Sequence, residues 1–172
     1  MSKAAPDLPP VSLNCAVLTI SNSRNSSNDT SGDYLVNSLQ AAGHRCDTRA
    51  IAPNNVYQLR KVISDWIAND SIQVIITNGG TGFSHNKSTV DALAPLMDQT
   101  ISGFGELFRH LSYQEIGSSM LQSDAFAGTA NNTLVFCVPG SGGACKTAWE
   151  GIIKEQLNST HRPCNFASQY HA

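Results

Sequence analysis

Apolar residues along this chain follow two rhythms, short unbroken runs and recurrences every three to four positions, and the two alternate from the first strand-like run to the last helix-like one. Residues 13–20, Val74-Ile75-Ile76 and residues 133–138 are runs apolar enough for strands covered on both faces, as in parallel sheets. Residues 44–51 alternate imperfectly and predict a weaker strand near an edge. Between the runs lie helical stripes. Leu35, Val36, Leu39 and Ala42 form one, closed by Gly43, and Val56, Leu59, Val62, Ile63, Trp66 and Ile67 form the clearest. Phe104, Leu107, Phe108 and Leu111 predict a further inner face, as do Cys145, Ala148, Trp149, Ile152, Ile153 and Leu157. A short capped helix over 88–96 is limited by Pro95. Ala130-Asn131-Asn132, between two strand-like stretches, predicts a hairpin and hence one antiparallel strand. The alternation predicts a single three-layer α/β domain over 13–158, with a mostly parallel central sheet and helices on both faces. Residues 1–12, with Pro6, Pro9 and Pro10, read as a flexible arm, and residues 159–172 as a polar tail.

Two glycine-rich loops follow strand-like runs. Gly79, Gly80 and Gly82 end the run at 74–76, and Pro139-Gly140-Ser141-Gly142-Gly143 ends the run at 133–138. In open α/β sheets ligands bind beyond the carboxyl ends of strands, where bare amides favour anions such as phosphate. Both loops should share that edge and converge on one crevice if their strands are neighbours. The polar loop at 21–28 is long enough to fold over a ligand. Neither Gly-x-Gly-x-x-Gly nor a Gly-Lys-Ser/Thr ending is present, and Ser141 lacks the Gly-x-Ser-x-Gly elbow of a hydrolase. Asp29 reads as a helix N-cap, and Glu106 either as a dipole-stabilising surface residue or as a pocket acid.

With 172 residues, 41% of them hydrophobic, and a formal net charge of -2, the chain fits one soluble domain rather than a nucleic-acid binder, for its cations form no basic run. Five cysteines without a Cys-x-x-Cys pattern indicate free thiols in a reducing, cytoplasmic setting, not a disulfide framework or a zinc site. His44, His85, His110, His161 and His171 show no metal-pair spacing and read as solvated singles. No run reaches the length of a membrane span.

Thr77-Asn-Gly-Gly-Thr-Gly82, Gly103-Phe-Gly-Glu-Leu-Phe-Arg109, Ser112 with Glu115-Ile-Gly117, and Pro139-Gly-Ser141 with Ala148-Trp149 occur in this order. Together with Asp29-Thr-Ser-Gly32 and Arg162-Pro-Cys-Asn-Phe166, they make the chain resemble the MoaB/Mog family of molybdenum cofactor biosynthesis proteins over almost its whole length. The resemblance implies a molybdopterin-binding fold, a homotrimer or homohexamer, and no tightly bound cofactor. Molybdopterin would be the ligand, with ATP and Mg²⁺ where adenylyl transfer is retained. It also implies ligand-binding roles for Gly79, Gly80, Thr81, Gly82, Gly103, Glu106, Pro139, Gly140, Ser141, Asp29 and Ser31, with Glu106 the candidate catalytic acid. Two positions depart from the active members' pattern, which places carboxylates where this chain has Asn54 and Lys87. Lys87 would attract phosphate as a point charge or stand as a solvated loop lysine; neither it nor Asn54 replaces a carboxylate at Mg²⁺. Three readings follow: a ligand-binding protein of this pathway, an active Mg-ATP-dependent molybdopterin adenylyltransferase, and a structural oligomer with a vestigial pocket. A generic nucleotide-binding α/β protein is the reading left by the residues alone.

Overall fold

The computed structural model describes residues 9–83 and 88–171, so Lys87 and His85 lie outside the described residues. Six strands form one sheet: β1 (Asn14–Ile20), β2 (Arg45–Ala52), β3 (Val74–Asn78), β4 (Gln99–Thr100), β5 (Phe126–Ala130) and β6 (Thr133–Val138). Their order is β2-β1-β3-β6-β5-β4. The first four in that order run parallel, while β5 is antiparallel to both β6 and β4. Every residue of β3 and β6 is buried, which is why both read as unbroken apolar runs rather than alternating ones.

Helices α1 (Thr30–Ala41), α4 (Ser102–Ile116) and α5 (Gly142–Ala148) share one apolar cluster with Val17, Ile76 and Phe136. Helices α2 (Val56–Ile67) and α3 (Thr89–Leu93) cover the other face, around Leu18, Ile75 and Val135. Beyond α5 the helix widens into a π turn over Trp149–Ile153 and closes with α6 (Lys154–Gln156). The wider turn keeps Trp149, Ile152, Ile153 and Leu157 all buried. Asn131 and Asn132 take φ of 46° and 66°, the paired left-handed conformation of a two-residue hairpin turn. Among the described residues no helix is long and apolar enough to cross a membrane.

Three stretches differ from their sequence reading, and one strand had none. His44 is not a solvated single: it is buried, and its Nδ1 accepts the Leu13 N–H at 3.3 Å. Leu107 is 43% exposed, because of the apolar stripe on α4 only Phe104 and Phe108 turn fully inward. The C-terminal stretch packs: Ala167 is buried, and the Tyr170 hydroxyl lies 2.7 Å from the Asn132 carbonyl and 3.1 Å from that of Gln73. Strand β4, two residues long, has no apolar run to announce it.

Candidate functional site

The register pairs Thr19 with Asn78 and Asn78 with Val138, so the tips of β1, β3 and β6 end level on one edge. The backbone turns sharply there. Gly79 and Gly80 adopt φ of +102° and +65°, conformations that side chains disfavour. A Cβ on Gly79 would strike the Ile20 carbonyl oxygen; one on Gly80 would strike Thr89 Oγ1 and lie 2.9 Å from Asn54 Oδ1. Gly79 N–H donates to the Val138 carbonyl at 3.0 Å, and a Cβ on Gly140 would sit 3.1 Å from Gly79 Cα. The two glycine-rich turns therefore touch. Gly79 shapes the turn and spends its own amide doing so, whereas the amides of Gly80, Thr81 and Gly140 meet no acceptor among the described residues. Ser141 Oγ caps α5 by accepting the Ala144 N–H at 3.2 Å, just beyond the half-buried Pro139. Ser31 Oγ donates to the Gly140 carbonyl at 2.9 Å and ties α1 to the same loop.

Beneath the crevice runs a buried polar chain. Asp29, 1% exposed, accepts from Thr19 Oγ1 at 2.7 Å, Arg49 Nη2 at 2.7 Å and Gly32 N at 3.0 Å. Burial alone would raise its carboxyl pKa, but the hydrogen bonds from Arg49, Thr19 and Gly32 outweigh burial and hold it below the usual carboxylate range. Arg49, held protonated more firmly by the same pairing, also reaches Asp33 at 2.6 Å. Asn78 Nδ2 donates to Thr19 Oγ1 at 2.9 Å and extends the chain to the tip of β3. Both Asp29 oxygens accept hydrogen bonds, so Asp29 is the N-cap of α1 and at the same time stands in the wall of the crevice. Arg24, Thr19, Asn78 and Arg49 were absent from the sequence-derived set. They come from β1, β2, β3 and a loop, and only Arg24, a lone cation in a Ser/Asn-rich stretch, stands out in the sequence.

On the other side of the β6 tip, Glu106, Arg109, Asp124 and Gly105 line a separate cavity of about 250 Å³. Asp124 N–H donates to the Thr81 carbonyl at 3.2 Å, which links this cavity to the glycine turn. Gly82 and Gly103 line neither this cavity nor the one beside Asp29. Beside Gly80, Ser88 Oγ hydrogen-bonds Asn54 Oδ1, and Thr89 Oγ1 donates to the Gly79 carbonyl at 2.8 Å. Mg²⁺ favours an octahedral oxygen set that includes carboxylate. The side-chain oxygens beside Gly80, from Ser88, Asn54 and Thr89, are neutral, the Asp29 carboxylate is engaged by Arg49, the Glu106 and Asp124 carboxylates line the separate cavity, and Asp98 sits at the far end of the sheet beside Asn131. Among the described residues no group of three His, Cys, Asp or Glu could hold a metal ion, and this donor set does not fit Mg²⁺.

A crevice at the carboxyl edge of a mostly parallel sheet, walled by two glycine turns with unused amides, is the arrangement with which α/β domains bind anionic ligands. A family profile described as "Probable molybdopterin binding domain" matches residues 16–159, and the chain belongs to that family. Molybdenum cofactor biosynthesis protein B of Escherichia coli (strain K12) is 49% identical over 166 residues, covering 96% of each chain. The protein of the same name from Staphylococcus carnosus (strain TM300) is 40% identical over 149 residues, covering 85% of this chain and 87% of its own. A crystal structure of a molybdenum cofactor biosynthesis protein B superposes with a TM-score of 0.84 at 36% identity, covering 87% of this chain and 94% of that one.

Proposed function

We propose that this chain serves molybdenum cofactor biosynthesis by binding molybdopterin, or a nucleotide sharing its phosphate-ester chemistry, between the two glycine turns. It does so without Mg²⁺-dependent adenylyl transfer. The observation that carries the reading is the direct apposition of Gly79 and Gly140, which gathers the unused amides of Gly80, Thr81 and Gly140 at one edge. Against catalysis stand the neutral Asn54 at the crevice and the engaged Asp29. Calorimetric titration with molybdopterin tests binding: saturable heat is the expected result, with a gain of about 2.7 kcal/mol in stability at a hundredfold excess over Kd. No heat and no thermal stabilisation would remove the proposal. Adenylylated product formed from Mg-ATP and molybdopterin would replace it with the enzyme reading.

Assembly as a trimer or hexamer belongs to the same proposal. Leu107, Ile116 and Leu121, 43%, 53% and 68% exposed on α4 and the turn after it, supply apolar surface for a second copy. Light scattering decides it, and a monomer at micromolar concentration would end it. All five cysteines are free thiols, which supports a reducing cytoplasmic setting.

A further inference from the structure

A cavity of about 110 Å³ lies on the α1 side of the strand tips, lined by Arg24, Asn78, Asp29, Ser31, Ser21 and Gly140. It has room for about four waters by liquid volume, enough for a tetrahedral oxyanion and far below the several hundred Å³ of a site that encloses a ring system. Its donors are set by counting protons. An ionised carboxylate only accepts, so Thr19 must give its one hydroxyl proton to Asp29 and must accept from its other neighbour. That neighbour is Asn78, whose amide is thereby fixed with Nδ2 toward Thr19, leaving its second N–H unused. Arg24 is pinned along its loop, its backbone N–H donating to Ser21 Oγ at 3.1 Å and its Nη1 to the Asn28 carbonyl at 2.6 Å. Its Nε and Nη2 groups meet no acceptor among the described residues. The one carboxylate in the wall, Asp29, is matched by Arg49 at 2.7 Å, so the cavity carries the charge of Arg24.

We propose that this cavity is an oxyanion subsite that takes the phosphate of the crevice's ligand, with Arg24 and the Asn78 amide as donors and Arg49 as the counter-charge that stops Asp29 repelling the anion. The proposal rests on the reading of the crevice as a phosphate-ester site, and it assigns the phosphate to this side of the tips. Arg24 contacts the anion directly. Arg49 is a positioning residue that acts through Asp29 and Thr19.

Titration of the full chain with inorganic phosphate tests it. Wild type binds saturably, Arg24→Gln binds about tenfold more weakly, as the loss of one charge-assisted hydrogen bond implies, and Arg49→Gln weakens binding similarly by unmasking Asp29. The double variant Asp29→Asn with Arg49→Gln removes both charges and recovers affinity relative to Arg49→Gln, a rescue that a purely structural role for Arg49 would not produce. Arg24 is exposed, so Arg24→Gln decides the matter alone should Arg49→Gln fail to fold. Unchanged phosphate affinity in Arg24→Gln, or no saturable binding by wild type, overturns the subsite. A parallel molybdopterin titration separates the two proposals. Molybdopterin binding equally tight in wild type and Arg24→Gln leaves the crevice standing without the subsite, whereas phosphate binding without molybdopterin binding keeps the subsite and removes the ligand.

Discussion

Replacing Asp29 by Asn isolates the charge at the root of the crevice, because Asn caps a helix about as well as Asp and the cap should survive. What changes is the donor count. Asn can offer its oxygen to the Gly32 N–H, but its amide then faces Arg49 Nη2 and Thr19 Oγ1, which lie 2.7 Å from the present carboxylate oxygen. Thr19 can reverse only by abandoning the proton balance with Asn78, and the guanidinium loses its buried counter-charge while keeping Asp33 at 2.6 Å. Asp29 is buried, but the Arg49 side chain is 31% exposed and keeps Asp33, so the cost falls short of that of a fully buried pair, at about 1–3 kcal/mol, still a noticeable part of the roughly 5–15 kcal/mol that holds a domain folded. Urea unfolding of wild type and Asp29→Asn at pH 7 measures the difference. The pH dependence supplies a sign check: the folded pKa of Asp29 lies below its ordinary value of 3.8, so the contribution is complete above that value and fades as pH falls through the folded one. The gap between the two proteins should therefore hold from pH 7 to near the ordinary value and narrow below it. A difference under about 0.5 kcal/mol at pH 7, within the range of ordinary surface substitutions, or one that persists undiminished in strong acid, would refute the assignment.

Gly80→Ala places a Cβ against Thr89 and Asn54 at φ +65° and should cost about 1–3 kcal/mol of stability, with loss of molybdopterin binding; calorimetry showing unchanged affinity would contradict it. Burial lowers the His44 pKa from 6.5, so its contribution is present above that value and is lost as pH falls, and His44→Gln should flatten the stability profile below it in chemical denaturation. Tyr170→Phe removes the hydroxyl shared by the Asn132 and Gln73 carbonyls and should cost about 1 kcal/mol in urea unfolding; no change would show that the C-terminal stretch adds nothing to the fold. Restoring carboxylates with Asn54→Asp and Lys87→Asp together should yield measurable adenylylated molybdopterin from Mg-ATP where wild type yields none, read by chromatography of the product.

The fold was legible wherever burial is two-sided or the period is strong. Val74 to Ile76 and Leu134 to Val138 announce central strands, and the stripe from Val56 to Ile67 announces α2. The glycine turns were legible because backbone geometry at Gly79 and Gly80 admits little else. Strand β4 was hidden because two residues carry no period, and Leu107 because a helical stripe does not show how far the partner layer extends. His44 gave no sign of burial, for its partner is a backbone N–H thirty-one positions earlier in the chain. The chain Arg49–Asp29–Thr19–Asn78 is a product of the strand order β2-β1-β3, which brings β2 and β3 to either side of β1 and which no local pattern encodes. Glu106 stood out by its motif, and it lies in a second cavity, which the hydrogen bond from Asp124 to Thr81 joins to the glycine turn.

The central claim is that two glycine turns from separate strands hold one ligand, and backbone amide NMR during a molybdopterin titration tests it most directly. Resonances of Gly80, Thr81 and Gly140 should shift together, with one saturation curve, because the proposal gives one ligand to the two apposed turns, whose amides meet no acceptor among the described residues. Shifts confined to one turn, or to residues between α4 and α5 such as Lys146 and Glu150, would place the ligand elsewhere and contradict the account.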